Sequence, residues 1–451
     1  MRLLTRDKRF YSQFFSLMLY IALQNLVTYS VSLVDNIMIG RYSQTALSGV
    51  ALANQIQFLL QMIVGSVGEG VIVIAAQYWG ERKKDPIKRV SAIGVWAAMI
   101  IGFAFFIVMS IWQTEIMNLL SNQENVNNAA LEYIRIIRFT YPIFCLSTVL
   151  LASMRSVENV KIGFAIMFAS LFINMFLNYC MIFGKLGFRE MGVRGAAAAT
   201  LVARSFELMC AALYVFFADK KLLTRLRDYS FIDKTILKDY IRYATPVILA
   251  GASWGLAMFI QTAIISRLSE DAIAANSVAA SLFGVLSVFA YGGGNAAGVL
   301  TGKLVGEGDR NKLKEYVKSM QIMFVLTGIV TGIVTYLIKE PLIKAYNLEN
   351  ENTITLARAF ITVLSITVIG TAYQAPCLTG IVRGGGHTKF VFYNDLIFQW
   401  CVVLVLSYLA AFVWELSLVW VFLALKSDQL LKCTVAVFEV NSYRWVKKLT
   451  R

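Results

Sequence analysis

The sequence predicts an all-α membrane protein: twelve transmembrane helices in two six-helix lobes, related by a pseudo-twofold axis along the membrane normal. Three observations predict it. The 451 residues are 58% hydrophobic and only 15% charged, with mean hydropathy +0.64, against about 25% charged residues in a soluble globular chain. Twelve stretches carry little or no charge over lengths suited to a hydrocarbon core of ~30 Å. The two halves of the chain also repeat one another.

In order, the spans fall near 12–39, 51–79, 90–113, 127–154, 162–184, 195–217, 243–266, 277–303, 319–338, 355–382, 391–411 and 413–426. Backbone groups in lipid must pair within their own segment, so each span is a helix even where β-branched and aromatic residues cluster. The first follows Arg2, Arg6, Lys8 and Arg9, an arrangement that imitates a signal peptide. The run is too long and no small-residue cleavage site follows it, so it reads as a retained helix. Pro142, Pro246 and Pro376 stand inside the fourth, seventh and tenth spans, where each removes a backbone donor and invites a kink. The last span is the shortest, bounded by Glu415 and Lys426. The expected divisions are an N-terminal lobe over 1–217, a cytoplasmic linker over 218–242, a C-terminal lobe over 243–426 and a basic cytoplasmic tail over 427–451. The linker reads either as a plain connector or as one carrying an amphipathic piece at 229–240 on the membrane surface.

A formal net charge of +15 raises the question of nucleic acid, but the basic residues lie in short patches between apolar runs, as membrane topology requires. One set of loops holds the N-terminal cluster, Arg82 to Arg89, Arg155, Lys161, the linker and Lys303 to Lys318, with Arg383, Lys389 and the tail ending at Arg451. The opposite loops mix a few cations with Glu115, Glu124, Glu270, Asp271, Glu349 and Glu351. The positive-inside rule puts both termini in the cytoplasm of a multi-pass plasma-membrane protein. Six cysteines without CxxC spacing and a single histidine, His387, give no disulfide framework, no zinc site and no histidine-based catalysis. The chain reads as a non-enzyme without a cofactor.

The repeat is the sharpest internal signal. Arg41-Tyr42-Ser43 falls on Arg267-Leu268-Ser269, and in the same register Gly68 meets Gly294, Gly80 meets Gly306 and Glu81 meets Glu307. Duplicated helical bundles with a cavity between them are a transporter plan, worked by alternating access. In that register Asp35 is matched by Gln261 and Glu69 by Asn295, so acids stand in the first lobe where the second has amides. A carboxylate exchanges a proton or holds sodium, whereas an amide offers only neutral oxygen. The coupling-ion site is therefore expected in the first lobe, at Asp35. Against this stands the plainer reading that Asp35 ends a full-length span at the outer surface. Asn174 and Asn178 share a face of the fifth helix and, with Thr200, would complete an oxygen-rich pocket beside Asp35; they serve equally well as structural helix-pairing residues. Glu69 lies among glycines, with Arg135 and Arg138 as its natural counter-charges in a structural or transport-linked network. Phe58, Met62, Trp254, Met258, Gln261 and Tyr291 are candidates to line a substrate cavity.

Val34-Asp35-Asn36-Ile37-Met38-Ile39-Gly40-Arg41, Ala76-Gln77-Tyr78-Trp79-Gly80, the stretch Ile182 to Phe188, the stretch Gly195 to Thr200 and the stretch Arg383 to Phe390 resemble the MATE family of multidrug and toxic-compound extrusion transporters. The resemblance spans essentially the whole chain. It implies a V-shaped two-lobe fold and export of amphipathic, often cationic compounds in exchange for protons or sodium, by a protein expected to be monomeric. It is closer to the DinF-like than to the NorM-like type: the first-helix acid is present as Asp35. The positions of the NorM-like acids in helices seven and ten fall near Trp254 and Ala372, which do not ionise. A flippase for lipid-linked saccharides shares the two-lobe plan and is the alternative, with Arg135, Arg138, Arg204 and Arg358 as the cations it would use.

Overall fold

The computed structural model describes residues 4–121, 123–230, 232–346 and 350–450. Arg2, Glu349 and Arg451, counted above for topology, lie outside them. The described residues form helices and no strand, because apolar runs of this length have nowhere else to satisfy their backbone. Among the described residues ten helices are long and apolar enough to cross a membrane, eleven if one bent pair is counted as a single span, against the twelve expected.

The first half runs α1 (Lys8–Tyr42), α2 (Gln44–Gly80), α3 (Lys84–Ile111), α4 (Gln113–Leu120), α5 (Glu124–Ile137), α6 (Thr140–Ser156), α7 (Val160–Phe183) and α8 (Gly192–Leu213). The second opens with α9 (Lys234–Ser266), α10 (Glu270–Glu307), α11 (Arg310–Leu337), α12 (Lys339–Ala345) and α13 (Glu351–Ala375). It closes with α14 (Thr388–Leu396), α15 (Leu404–Tyr408), α16 (Leu418–Leu425) and α17 (Ser427–Ser442). The duplication reaches the helix caps. Ser43 Oγ accepts from the Ala46 amide at 3.3 Å, and its counterpart Ser269 accepts from Ala272 at 3.0 Å. Each satisfies an amide that the first turn leaves open.

Contacts divide the chain into two compact units, Leu23–Gly251 and Met1–Ala22 with Ala252–Arg451. The boundaries fall inside α1 and α9 rather than in loops. At the start of the chain the Thr5 amide donates to Ser319 Oγ at 2.9 Å and the Tyr316 hydroxyl donates to Asp7, which ties the entry of α1 to α11.

In the Leu23–Gly251 unit, α2 packs against α3, α5 and α6, and α7 against α8. Gly49 permits the α2–α5 approach, since a Cβ there would lie 2.7 Å from Ala129 Cβ and from the Ala130 amide nitrogen. The expected fourth span is broken: α5 and α6 meet at 56°. Pro142 explains where, because its ring crowds the carbonyl four residues back, at Arg138, and the helix resumes only beyond that point.

In the other unit α13 packs against α10 and α11. At Pro376 the helix widens into a π-turn over Pro376–Val382, one way a membrane helix accommodates a lost backbone donor; Pro246 instead sits within continuous α9. The final span differs from the expected 413–426. Helix α16 is only eight residues long, and α17 follows it directly across 427–442, within the segment expected to be tail. Charges interrupt the apolar run there, but Lys432 is buried against Asp395 at 2.9 Å and Asp428 at 3.4 Å, so the helix carries them inside the protein. Beyond α17 the chain folds back. Trp445 is fully buried on Gly385, where a Cβ would sit 2.1 Å from the indole, and its Nε1 donates to Val440 O at 2.8 Å.

Candidate cation-coupling site

Asp35 lies in the last third of α1 and is buried against neighbouring helices, 7% exposed, not bathed in solvent. Asn178 Nδ2 donates to its Oδ1 and also to Asn174 Oδ1 at 3.2 Å; Asn174 Nδ2 donates to Thr200 Oγ1 at 3.2 Å. The Thr200 hydroxyl reaches Asp35 as well. One connected chain thus joins α1, α7 and α8. Local sequence explains the placement. Asn174 and Asn178 are one helical turn apart, and the loop between α7 and α8 is a tight reversal at Gly184, whose φ of +63° suits glycine. A Cβ at Gly195 would lie 2.5 Å from Met181 O, so the start of α8 presses closely on α7.

Next to this chain is a cavity of ≈ 10 Å³ lined by Thr28, Ser170, Asn174, Thr200, Arg204 and Glu207 among others, about enough for one water. Arg204 Nη1 donates to Glu207 Oε2 at 2.8 Å, and Ser147 Oγ donates to Oε1 at 2.8 Å. Arg204 also acts electrostatically on Asp35. Tyr133 of α5 is buried beside Asp35 and Thr200; a lone tyrosine on the apolar face of an amphipathic helix gave sequence reasoning nothing to single it out. Asn178 Oδ1 is buried with no hydrogen-bond partner among the described residues. An amide whose nitrogen faces a carboxylate and whose oxygen faces nothing can exchange these ends by flipping.

Residues 21–180 and 246–425 match the family model described as MatE. The chain belongs to the MatE family. As a member it is a membrane transporter, not an enzyme. The Thermotoga maritima protein named "Probable multidrug resistance protein NorM" is 24% identical over 434 residues, spanning 95% of this chain and 92% of its own. Among solved structures, a MOP superfamily transporter from Pyrococcus furiosus superposes with TM-score 0.87 at 18% identity, covering 95% of each chain. A MATE in the bent conformation does so at 0.86, 19% identity and 97% of each. These likenesses carry the fold.

In this MatE chain the remaining candidates disperse. Glu69 is half-buried on α2, and Arg155, in the last turn of α6, lies within its electrostatic reach. Arg135 is exposed, and Arg138 stacks over Phe139 at 5.3 Å. Gln261 is buried, Trp254 and Tyr291 are more than a third exposed, and Phe58, Met62 and Met258 are half-buried. None of these six lines the polar cavity.

Proposed function

We propose that the protein is a secondary antiporter exporting amphipathic, often cationic, drug-like compounds in exchange for protons or sodium, with Asp35 as the coupling acid. The arrangement is the DinF-like one, in two six-helix lobes, with both termini cytoplasmic, in the plasma membrane, as a monomer. The observation that carries this reading is the buried Asp35–Asn178–Asn174–Thr200 chain. As a carboxylate, Asp35 accepts from Asn178. Once protonated it becomes a donor, and the unpartnered Asn178 oxygen is the acceptor it then needs. Sodium would instead draw in the oxygens of Asp35, Asn174, Asn178 and Thr200, the donor type it prefers. Either ion rearranges α1 against α7 and α8, beside the cavity. Antiport requires that this rearrangement and substrate occupancy oppose each other. Of the cations a saccharide flippase would use, Arg204 is paired with Glu207 and Arg358 is held by Glu340 at 2.6 and 2.9 Å.

The test is dye efflux from proteoliposomes with pH and sodium gradients imposed separately. Efflux driven by one gradient and lost in Asp35→Asn supports the reading. Full efflux in that variant removes Asp35 from the mechanism.

A further inference from the structure

The Met1–Ala22 and Ala252–Arg451 unit holds a second cavity, ≈ 150 Å³, walled by α1, α10, α11 and α13. Phe14, Met18, Met323 and Phe324 form its inner wall, and Thr327 brings a hydroxyl. The half-exposed Phe15, Phe289 and Leu326 border an opening to the outside, and among the described residues no charged side chain lines it. Three consecutive glycines of α10 pass it. At Gly292 a Cβ would lie 3.0 Å from Met18 O, and at Gly294 3.3 Å from Pro376 Cα, so close packing of helices accounts for those two. Gly293 is different. Its Cβ would meet Phe324 at 3.4 Å and the Met18 sulfur at 3.9 Å, which are ordinary contacts. Alanine would fit and would favour the helix; what glycine preserves at this position is open space.

We infer that this cavity is a binding site for an uncharged aromatic ring of benzene-to-indole size, which in the transport cycle is the ring moiety of an exported compound. That last clause rests on the antiport reading. The size follows from the volume alone: in another protein an enclosed apolar cavity of about 150 Å³ is large enough to take benzene or xenon. The chemistry follows from the walls. Phenylalanine faces and edges and two thioethers favour a flat π-system, and the lack of a counter-charge keeps a cationic centre outside. The hydroxyl of Thr327 suits a ring N–H or phenol. A lipid acyl chain is the competing occupant.

The experiment uses the full chain in lipid nanodiscs, with saturation-transfer NMR reading indole and, separately, hexane. Wild type is compared with Gly293→Leu, which fills the cavity, and with Val330→Ala on the exposed face of α11. Expected are saturable indole binding to wild type and Val330→Ala, at least tenfold weaker binding to Gly293→Leu, and no competition by hexane. The inference is overturned by no saturable indole binding to wild type, by unchanged binding to Gly293→Leu, or by hexane competing equally, which would assign the cavity to an acyl chain. If Gly293→Leu does not fold, Met323→Trp fills the cavity from the opposite wall and is read in the same way. Dye efflux by the same wild-type preparation separates the two claims. Efflux without indole binding sinks this inference alone, and indole binding without any efflux sinks the antiport reading and leaves the site.

Discussion

The two cavities treat intramembrane space in opposite ways. Around the first, Asn174 donates to Thr200 and Ser170 to the Ala203 carbonyl across α7 and α8, Arg204 pairs with Glu207 along α8, and about one water's room is left. Around the second, phenylalanine and methionine make no such bonds, and ≈ 150 Å³ stays open. Its walls include Phe15, Phe289 and Leu326, each about half exposed, so it opens to the surroundings of the helices and is not sealed inside them. The difference teaches that polar groups in lipid close a site by bonding each other, whereas an apolar site stays open only where packing is given up.

Breaking the polar side should have the largest effect. Asp35→Asn is expected to abolish gradient-driven efflux while leaving expression and thermal unfolding near wild type, since the amide still fits among Asn178 and Thr200. Efflux assays and melting curves on one preparation check both halves. Next comes Glu207→Ala, which strands Arg204 without its carboxylate. Removing one partner of a buried pair typically costs 3–5 kcal/mol, read as a lowered melting temperature. Arg204→Met combined with Glu207→Leu should recover most of it, and a double variant as unstable as the single one would contradict the pairing. On the apolar side, Gly293→Ala should stabilise by up to ~1 kcal/mol through helix propensity, whereas Gly68→Ala should destabilise, because its Cβ would lie 2.9 Å from Ala152 Cβ.

The smallest effect is expected away from both cavities. The Asp233 carboxylate accepts from the Thr235 and Ile236 amides at the start of α9, and these bonds, with Arg89 beside it, hold its pKa below the usual carboxylate value despite some burial. A depressed value means that the stabilisation is present above the ordinary carboxylate range and lost as pH falls through the folded value. Asp233→Asn should therefore melt slightly lower than wild type at pH 7, and the gap should close in acid. A gap that persists at low pH would point to the side chain's shape instead of its charge.

How much of this was legible follows from what each feature depends on. Most of the spans, the Ser43–Ser269 register of the repeat and the Asp35–Asn174–Asn178–Thr200 group are written in local patterns: charge-free length, matching residues at a fixed offset, polar residues one helical turn apart. The break between α5 and α6 was half legible, since Pro142 marked a kink but not its extent. The end of the chain was hidden, because Lys432 looks like a loop charge until Asp395, from a distant segment, is seen against it. Tyr133 and the second cavity were hidden for a related reason. Both exist only where separate helices meet, and neither leaves a residue that looks out of place in its own helix.

The docked end of the chain also constrains how this region can move. Helix α17 is fixed at one turn by the Lys432–Asp395 ion pair to α14 and beyond its other end by Trp445, seated on Gly385, with the Lys447 amide bonded to Gly385 O at 2.8 Å. Sliding it by one helical repeat, ~5.4 Å, would uncouple both anchorages at once. The last helix therefore behaves as a strut of set length, and whatever displacement transport demands of α14 and the turn at Gly385 must carry α17 along with it as a single piece.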